Sequence, residues 1–433
     1  MNFKFLSRTF VITGIVVAVV PQVIAQTNVS QDDFSNIGSR TITTATPFLM
    51  INPSARWGSL GDIGVSTEAD ASSMHYNVGK LALAPKDMSF DVAYSPWLRA
   101  LVPDINLAYL GFYKKIGNRT AIGASIRYFS LGDITFTDMS GNTIGNFNPN
   151  EFSIDLGASL KLSQYWSGGI SFKFIYSNLT LGQNVNGQAT NAGVAGGGDL
   201  GFFFQNPDKK LFKKPVTWRC GVAINNIGSK IKYSDAQANG DFIPTNFRLG
   251  GGAQIELDKF NSLSWHVEVA KLMVPSNPDY LRDFDTATTD PCTNCYGYVV
   301  KDPQGNPVIQ NGMDPNRNAF TAMFTSFGDS PLGFIGELSE FTLQTGVEYW
   351  YNKLLRVGVG FFYEAPESGN RQFFTLGAGV RYKVFGLDFS YLIPTTQRNP
   401  LENTLRFTLS FNFDKFNTKK DEGGTNTTKT KKK

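Results

Sequence analysis

The feature that most constrains this chain is a strict alternation of apolar and polar residues, repeated in segments of about ten residues. In Leu405 to Phe413, five large apolar residues occupy every second position, with Arg, Thr, Ser and Asn between them. Residues 152–162 and 341–349 follow the same pattern. A period of two residues is typical of a β-strand with one apolar face. Soluble strands mostly have about 5–6 residues, whereas a tilted strand needs about 9–11 to cross a bilayer, so the pattern favours membrane-spanning strands.

About fourteen segments carry this alternation, and the links between them are alternately short and long. Outer-membrane barrels have this arrangement, with brief periplasmic turns and long outer loops. The sequence therefore predicts an all-β fold, a transmembrane antiparallel β-barrel of about 14 strands with an N-terminal hatch or plug segment. A large soluble β-sandwich or β-propeller is the alternative, although such folds rarely need strands of this length. The predicted strands are 89–97, 105–115, 120–131, 151–162, 166–178, 196–205, 216–225, 245–257, 261–272, 340–350, 354–363, 372–383, 386–393 and 403–413.

The lengths of the links assign the strand ends to the two sides of the membrane. With an even number of strands, both termini are expected in the periplasm. One long link on the short-turn side, Asn206 to Pro215, carries four Lys and is expected to form a basic periplasmic excursion. Amphipathic aromatic rings suit both lipid interfaces. Those at strand ends are Trp166, Trp218 and Trp350 on the short-turn side and Trp97 on the other.

The composition agrees with a barrel and excludes other classes of protein. Charged residues make up 18% of the chain and the mean hydropathy is −0.17. Past the N-terminus no apolar run approaches the roughly 18 residues that a transmembrane helix needs, which excludes a helical membrane protein. An ordinary cytosolic enzyme is disfavoured, since soluble chains average roughly 25% charged residues.

The two ends of the chain differ in composition from the alternating part. Lys4 and Arg8 precede an apolar run and then small residues, which predicts a secretory signal peptide at 1–25. An uncleaved anchor helix is the alternative. The other divisions are an N-terminal segment and hatch at 26–85, the barrel at 86–413 with its longest extracellular loop at 273–339, and a Lys-rich periplasmic tail at 414–433.

Charged residues occupy the polar phase of the predicted strands and are expected inside the barrel. A charge that faces lipid at mid-depth costs roughly 2–4 kcal/mol, so the register is effectively forced. Two interpretations stay open, namely ion pairs that close a plugged barrel and a solute-selective channel. The residues concerned are Arg127, Asp155, Lys161, Lys173, Arg219, Arg248, His266, Glu268, Glu348, Arg356, Arg381, Asp388 and Arg406.

The longest loop contains a C-x-x-C sequence, Cys292 to Cys295. In an oxidising exterior a disulfide between these two cysteines is predicted, with a redox motif as the alternative. The chain has only two histidines, so a zinc site is not expected. The aspartates of this loop form no calcium-binding run of the EF-hand kind, and no metal site is predicted.

Two long loops carry apolar residues that are candidates for binding a partner. Apolar loop residues usually either fold over the mouth of a barrel or dock a partner, and both interpretations stay open. Loop 273–339 contributes Phe320, Phe324, Phe327 and Phe334, and loop 226–244 contributes Tyr233, Phe242 and Ile243.

Catalytic and cofactor motifs are not visible in the sequence. His266 is the only histidine in a predicted strand, and Glu268 shares its face, but no serine motif accompanies them. An outer-membrane hydrolase is therefore a weak alternative, and no enzymatic activity is expected. No phosphate-binding loop, nucleotide fingerprint or nucleic-acid patch is present, so neither a cofactor nor a nucleic-acid partner is predicted.

Segment 41–85 does not alternate and is rich in small residues. It contains Pro53-Ser54-Ala55-Arg56-Trp57-Gly58-Ser59-Leu60-Gly61, then Ala69-Asp70, then Tyr76-Asn77-Val78-Gly79-Lys80-Leu81. These runs resemble the hatch segment of the PorV/PorQ family, within the FadL-like group of outer-membrane barrels. Val78 stands where the family commonly has a Pro. The residues that carry the resemblance are Pro53, Ala55, Arg56, Gly58, Gly61, Asn77 and Gly79.

The resemblance implies a component of the type IX secretion system of Bacteroidetes, located in the cell outer membrane. Its expected partners are an SprA-type translocon, the C-terminal signal domains of cargo proteins, a PorU-type sortase in the surface attachment complex, and outer-membrane lipid. A FadL-type channel for hydrophobic small molecules is the alternative function.

Overall fold

The structure is a computed structural model that describes residues 40–99, 102–137, 140–180, 182, 184–185, 188–235, 237, 239–283, 298–396 and 399–414. The predicted signal peptide, nearly all of the Lys-rich tail, and both Cys292 and Cys295 lie outside the described residues. The signal peptide, the periplasmic tail and the disulfide therefore stay predictions.

Among the described residues, fourteen antiparallel strands form one closed barrel, which confirms the predicted fold class. Each strand pairs with its neighbours in the sequence, and the first and last strands close the sheet with Val92 opposite Leu409. The strands are β1 (Met88–Pro96), β2 (Asn106–Ile116), β3 (Thr120–Ser130), β4 (Asn150–Lys161), β5 (Trp166–Asn178), β6 (Gly193–Leu211), β7 (Lys214–Gly228), β8 (Asn246–Glu256), β9 (Asn261–Leu272), β10 (Phe341–Tyr351), β11 (Leu355–Tyr363), β12 (Gln372–Tyr382), β13 (Phe385–Pro394) and β14 (Leu405–Phe413).

The alternation of the sequence becomes an apolar outer wall around a polar lumen. In β14, Phe407 and Leu409 are exposed on the outer wall, whereas Arg406 and Thr408 are buried. The same alternation continues around the barrel, so the register that the charges predict is confirmed. Buried charged or titratable side chains of the strands include Arg127, Asp155, Lys173, Arg219, Arg248, His266, Glu268, Glu348, Arg356, Asp388 and Arg406, while Lys161 and Arg381 are partly exposed.

The helices of this protein are all short. Within the described part of the chain, none is long and apolar enough to cross a membrane.

The two ends of the barrel differ in their connections. At one end, called the turn end, short turns join the strands, as at Asn352–Lys353, where both residues have φ 53° and suit a two-residue hairpin turn. At the other end, called the loop end, the connections are longer. They contain the paired strands Ile134–Thr137 with Thr143–Phe147, Asn184–Val185 with Gln188–Ala189, Asp279–Tyr280 with Ile309–Asn311 and Arg282–Asp283 with Tyr298–Val299, the helices Ala319–Thr325 and Gly333–Ser339, and the 3₁₀ turn Pro366–Ser368.

The connection between β6 and β7 differs from the prediction of a long basic link. The two strands continue as a hairpin beyond the residues that pair with neighbouring strands, with Lys210 opposite Pro215. The hairpin turns at Phe212–Lys213, where φ is 49° and 65°. A register shift between Asn206 and Lys209 interrupts the alternation. Because the period-two pattern is lost there, the sequence places the strand ends too early.

Residues 40–85, called the hatch from here on, cross the lumen from the loop end to the turn end. At the loop end, Arg40 donates to the carbonyl of Glu367, and Ala45 donates to the carbonyl of Phe242. At the turn end, Lys115 donates to the carbonyl of Ala84. The hatch contains the 3₁₀ turns Pro47–Met50 and Val78–Leu83 and two helices, α1 (Ala55–Gly58) and α2 (Ser73–Tyr76).

The expectation that both ends of the chain lie on one side stays a prediction, because residues 1–39 and 415–433 lie outside the described residues. The even number of strands does bring the start of β1 and the end of β14 together, with Met88 opposite Phe413 at the turn end. Arg40, however, lies at the loop end, where its guanidinium is 3.3 Å from Asp279. The strand count says nothing about a segment that crosses the lumen before β1. The first and last described residues, Arg40 and Asp414, therefore lie at opposite ends of the barrel.

The tryptophans at the strand ends divide between the outer wall and the lumen. Trp166 and Trp218 are exposed on the outer wall at the turn end, as predicted. Trp350 instead faces inward, with the Arg56 guanidinium carbon 5.1 Å from its ring centroid. Trp97 packs against a buried cluster at the loop end. Strand-end position alone does not distinguish the two faces, and these two assignments to the lipid interface are wrong.

Candidate functional site

Arg56 holds the hatch to the barrel wall through a two-pronged ion pair. Its Nε lies 2.9 Å from Glu348 Oε1 and its Nη2 lies 3.0 Å from Glu348 Oε2. A third nitrogen, Nη1, reaches Glu68 Oε2 at 3.1 Å. A fork-to-fork pair fixes orientation as well as distance, so this contact positions α1 against β10.

A second set of polar contacts holds the segment that follows α1, from Asp62 to Val65. Arg406 Nη1 lies 2.8 Å from Asp62 Oδ1. Glu268 accepts from the backbone of Gly64 at 2.8 Å and of Val65 at 2.9 Å, and it also pairs with Arg248 at 2.6 Å. The buried backbone donors of the hatch therefore find their acceptor on the wall of the barrel.

Glycine is required at two hatch positions because the backbone passes close to a strand. Gly61 has φ +80°, and a Cβ added there would lie 2.5 Å from the carbonyl oxygen of Phe361. A Cβ on Gly79 would lie 2.5 Å from the carbonyl oxygen of Gly201. Asn77 donates to the carbonyl of Phe202 at 2.9 Å and accepts from Gly79 at 3.0 Å, which caps the second 3₁₀ turn.

The remaining motif residues also lie within the hatch contacts. Pro53 and Ala55 are buried beside α1, and the backbone of Ala55 donates to Thr408 Oγ1 at 2.9 Å. Gly58 lies against Arg406, whose Nη1 would be 2.5 Å from a Cβ. All seven residues that carry the resemblance thus belong to the packing of the hatch against the wall.

Two buried basic groups of the hatch are held by polar partners. Lys80 Nζ donates to the carbonyl of Gly64 and to Thr67 Oγ1, both at 2.9 Å. His75 Nδ1 lies 2.6 Å from Arg127 Nη2. The described lumen is therefore filled by a polar network.

A buried apolar cluster, called the mouth cluster, closes the loop end of the lumen. The hatch contributes Phe48 and Leu49, and the β7–β8 loop contributes Ile231 and Ile243, which are 0% and 2% exposed. Tyr233 packs against this cluster, and its hydroxyl donates to Ser177 at 2.9 Å. Ile243 is therefore covered by the mouth of the barrel, and Tyr233 and Phe242 are only partly exposed.

The other candidate loop residues lie on two helices with an unusual distribution of polarity. Helix α3 (Ala319–Thr325) begins at Asn318, whose side chain accepts from Thr321 at 2.8 Å. Its buried face carries Ala322 and Met323, and its exposed face carries Phe320 and Phe324, with ring centroids 5.2 Å apart. Aromatic side chains four residues apart share one face of a helix, and here that face is turned to the surroundings.

Helix α4 (Gly333–Ser339) has the reverse of the usual amphipathic arrangement. Phe334 is 76% exposed and Ile335 is 77% exposed, whereas Glu337 is buried and accepts from the backbone of Ser330 at 2.8 Å. A surface helix normally turns its apolar stripe inward and its charges outward. The exposed apolar residues of both helices and their links form what is called the docking surface: Phe320, Phe324, Phe327, Leu332, Phe334, Ile335 and Leu338.

The docking surface is continuous with the apolar outer wall of the barrel. Phe327 contacts Phe247, a residue of β8 next to the buried Arg248, with ring centroids 6.1 Å apart and nearly perpendicular planes. Contiguous exposed apolar patches usually mark a protein or membrane interaction site. The rim of the barrel can thus make a lateral apolar contact with a neighbour in the same membrane.

The structure separates the residues that the sequence groups as candidate loops. Phe320, Phe324, Phe327 and Phe334 come together on the docking surface, while Tyr233, Phe242 and Ile243 lie at or beside the mouth cluster. Sequence reasoning missed the buried group formed by Lys271, Asp329, Glu337 and Glu340 below α4. Its members come from both ends of a long loop, and spacing alone does not bring them together.

Comparisons with solved structures find barrels of similar outline. The toluene transporter TbuX of Ralstonia pickettii is 13% identical, with a TM-score of 0.42 over 84% of this chain and 98% of that chain. The toluene transporter TodX of Pseudomonas putida is 11% identical, with a TM-score of 0.42 over 82% and 95%. A FadL homologue of Pseudomonas aeruginosa is 11% identical, with a TM-score of 0.37 over 87% and 100%. At such TM-scores these likenesses carry no inference about function.

Comparison with protein families gives a direct assignment. No curated protein sequence matches this chain significantly. A family model described as "Type IX secretion system protein PorV" matches residues 34–279, which is more than half of the chain. The matched region spans the hatch, the motif residues within it, and the barrel through β9. The chain belongs to the PorV family of type IX secretion system proteins.

Proposed function

We propose that this protein is a non-enzymatic accessory barrel of type IX secretion that docks on an SprA-type translocon. It binds the C-terminal signal domain of exported cargo and passes the cargo to the PorU-type attachment complex. Membership of the PorV family supports the secretion system. The observation that carries the docking role is the inverted polarity of α4, with Phe334 and Ile335 exposed and Glu337 buried.

The position of the docking surface favours a partner that lies beside the barrel. The surface continues into the outer wall through Phe327 and Phe247, so a partner can cover both without leaving the membrane. Fully exposed Phe, Ile and Leu side chains are unfavourable in water, and each contributes about 1.5–3 kcal/mol when a partner buries it completely. A large membrane-embedded translocon offers such a neighbour, whereas a soluble periplasmic protein would not reach the rim.

The filled lumen limits where cargo can be held. The hatch is anchored at Arg56, at Asp62 and at Gly64 by contacts to the strands, and the mouth cluster closes the loop end. Cargo is therefore proposed to bind on the outside of the loop end and not to pass through the barrel.

The loop end is proposed to face the exterior of the cell, because outer-membrane barrels carry their longer loops outside. In that orientation Asp414 and the Lys-rich tail face the periplasm, as does the basic hairpin tip at Phe212–Lys213. Arg40, the first described residue, then lies on the outer side of the membrane, opposite to Asp414.

The alternative of a FadL-type channel for hydrophobic small molecules has less support. Such a channel needs an apolar path through the lumen, but the described lumen is lined by charges that pair with one another, as Arg356 does with Glu348 and Asp388. Conductance in planar bilayers, or uptake of a fatty acid into vesicles, measures this alternative directly. A flux well above that of empty membranes would favour it.

The secretion role is tested by deleting the gene and comparing the proteomes of the medium, the cell surface and the periplasm. Cargo proteins that carry the C-terminal signal domain are expected to disappear from the surface and accumulate in the periplasm. Complementation with the wild-type gene, and with a Phe212→Ser variant altered only at an exposed turn-end residue, is expected to restore export. Normal surface attachment of cargo in the deletion strain would overturn the proposal.

A further inference from the structure

Next to α4, three carboxylates lie close together with only one lysine to balance their charge. One oxygen each from Asp329, Glu337 and Glu340 lies within 4.8 Å of the others. Lys271 Nζ lies 3.1 Å from Glu337 and also contacts Glu340. With one ammonium for three carboxylates, the group has a formal charge of −2 when all are ionised. We call this group the rim cluster.

Within the rim cluster, Asp329 lacks the contacts that the other two carboxylates have. Glu337 accepts from the backbone of Ser330 at 2.8 Å, and Glu340 accepts from Ser276 Oγ at 2.5 Å. Asp329 is 1% exposed, and neither of its oxygens accepts a hydrogen bond of normal geometry in the described structure. Burial raises the pKa of Asp329, and poorly aligned hydrogen bonds from Ser276, together with the charge of Lys271, offset only part of this effect.

A buried carboxylate without well-aligned donors is costly unless it is protonated or bound to a cation. Calcium binds oxygen ligands at about 2.3–2.6 Å, so two ligands of one ion lie no more than about 5 Å apart. The spacing of the three oxygens in the rim cluster, at most 4.8 Å, meets this limit. Carboxylates are hard ligands that suit calcium and magnesium, and an irregular group of protein oxygens suits calcium better.

The geometry points to a binding site for a hard divalent cation of the calcium class at the rim cluster, with Asp329 as the central ligand and Glu337 and Glu340 beside it. The ion would take up the unpaired charge of Asp329 while Lys271 keeps its contacts to the two glutamates. A small surface cleft lined by Ser276, Ser330 and Glu340 opens next to the cluster and gives an ion a route in.

The site joins three parts of the loop end that are distant in sequence. Lys271 is the second-last residue of β9, Asp329 lies between α3 and α4, and Glu340 immediately precedes β10. Glu337 is buried on α4, whereas Phe334 and Ile335 of the same helix are exposed. A bound cation would therefore fasten the two helices to the rim of the barrel from beneath. Its existence does not depend on the proposed secretion role.

Equilibrium dialysis with calcium chloride on the purified full-length barrel in detergent tests the site. The wild-type protein is expected to bind one calcium ion per chain, with a dissociation constant of roughly 10⁻⁴–10⁻³ M as in extracellular modules. Its melting temperature is expected to be higher in calcium than in EDTA. Asp329→Asn is expected to weaken this binding about 10-fold or more and to remove the calcium-dependent shift in melting temperature.

Asp302→Asn is the matched control, because Asp302 lies in the same long loop but is partly exposed and accepts from the backbone of Asn306 at 2.8 Å. It is expected to bind calcium as the wild type does. If Asp329→Asn does not fold, Glu340→Gln replaces it with the same expectation. Absence of binding by the wild type at about 10⁻² M calcium, which is 10-fold above the weakest dissociation constant expected, would overturn the proposal. Equal binding by the wild type and both cluster variants would also overturn it.

Discussion

At the scale of single residues, the hatch is held by charged groups that leave water together. Arg56 is 11% exposed and its partner Glu348 is 3% exposed. For such a pair, the removal of one member leaves the other buried without its counter-charge, which costs more than the pair itself contributes. Each hatch contact of this kind therefore penalises any state in which the hatch leaves the lumen.

Arg56→Met is expected to destabilise the barrel by about 3–5 kcal/mol, because it leaves Glu348 and Glu68 without their main partner. Urea unfolding in lipid vesicles, followed by tryptophan fluorescence, measures the free energy of unfolding. The double variant Arg56→Met with Glu348→Leu is expected to recover part of the loss. Lys86→Met, which breaks an exposed pair with Asp414, serves as the control and is expected to change little. Equal stability of Arg56→Met and the wild type would contradict the anchoring role.

Gly61→Ala and Gly117→Ala separate the effect of space from that of backbone conformation. Both glycines have positive φ, 80° and 68°, but a Cβ on Gly61 meets the Phe361 carbonyl whereas one on Gly117 meets nothing within 4 Å. Gly117→Ala is expected to cost roughly 1 kcal/mol, the penalty of the left-handed conformation. Gly61→Ala is expected to cost at least about 1 kcal/mol more, because the hatch must move. Identical unfolding curves would show that the close approach does not matter.

At the scale of elements, the strands were predictable, whereas the hatch was predictable as a segment but not in its path. The fourteen predicted segments match the fourteen barrel strands, since a charged residue in lipid is costly enough to force the register at Arg406 or Asp155. The exception is the hairpin tip of β6 and β7, where the pattern is polar on both faces and carries no periodicity. The hatch is built of small residues whose path depends on contacts with distant strands, as Gly79 with Gly201 illustrates.

The candidate site was only partly predictable for the same reason. The exposed phenylalanines of α3 and α4 follow from their apolar character in a long outer loop. Whether Ile243 would fold over the mouth or face a partner could not be read from the sequence, because it is buried in the mouth cluster together with Phe48 of the hatch. The rim cluster combines Lys271 with Glu340, 69 positions apart, and sequence spacing gave no signal for it.

Replacement of the exposed apolar face of α4 is expected to affect docking and not folding. The triple variant Phe334→Ser, Ile335→Ser and Leu338→Ser removes exposed side chains that are not part of the core. Its melting temperature should therefore stay close to that of the wild type. Recovery of the translocon with the affinity-tagged barrel is expected to fall by at least about 10-fold, since each buried apolar side chain contributes about 1.5–3 kcal/mol.

Phe212→Ser is the control for the α4 variant, because Phe212 is 87% exposed but lies at the turn end. It removes an equally exposed aromatic ring and should leave recovery of the translocon unchanged. Undiminished recovery with the α4 variant would leave the docking surface in contact with lipid alone.

At the scale of the whole molecule, the hatch makes the barrel a closed body with its described ends on opposite sides. Arg40 is tied to the loop end by Asp279 and Glu367, and Asp414 is tied to Lys86 at the turn end. The lumen is occupied along its length, from the mouth cluster to the Ala84 carbonyl. The functional surface is therefore the outside of the barrel, above all its rim.

Epitope tags test this arrangement in intact cells. A tag inserted immediately before Arg40 is expected to be accessible to an external antibody, because Arg40 lies at the loop end. A tag after Asp414 is expected to become accessible only when the outer membrane is permeabilised. A tag in the exposed loop at Gly305 reports external access in the same strain. Protection of the tag before Arg40, together with labelling at Gly305, would contradict the path of the hatch.

Contact between the docking surface and a secretion partner can be detected by photo-crosslinking in living cells. A photoreactive amino acid is placed at Ile335 on α4 or, in a separate strain, at Phe212 at the turn end. A single large cross-linked product is expected from Ile335, identified by mass spectrometry as the translocon, and none of that product is expected from Phe212. Cross-links from Ile335 to lipid only, or the same products from both positions, would contradict it.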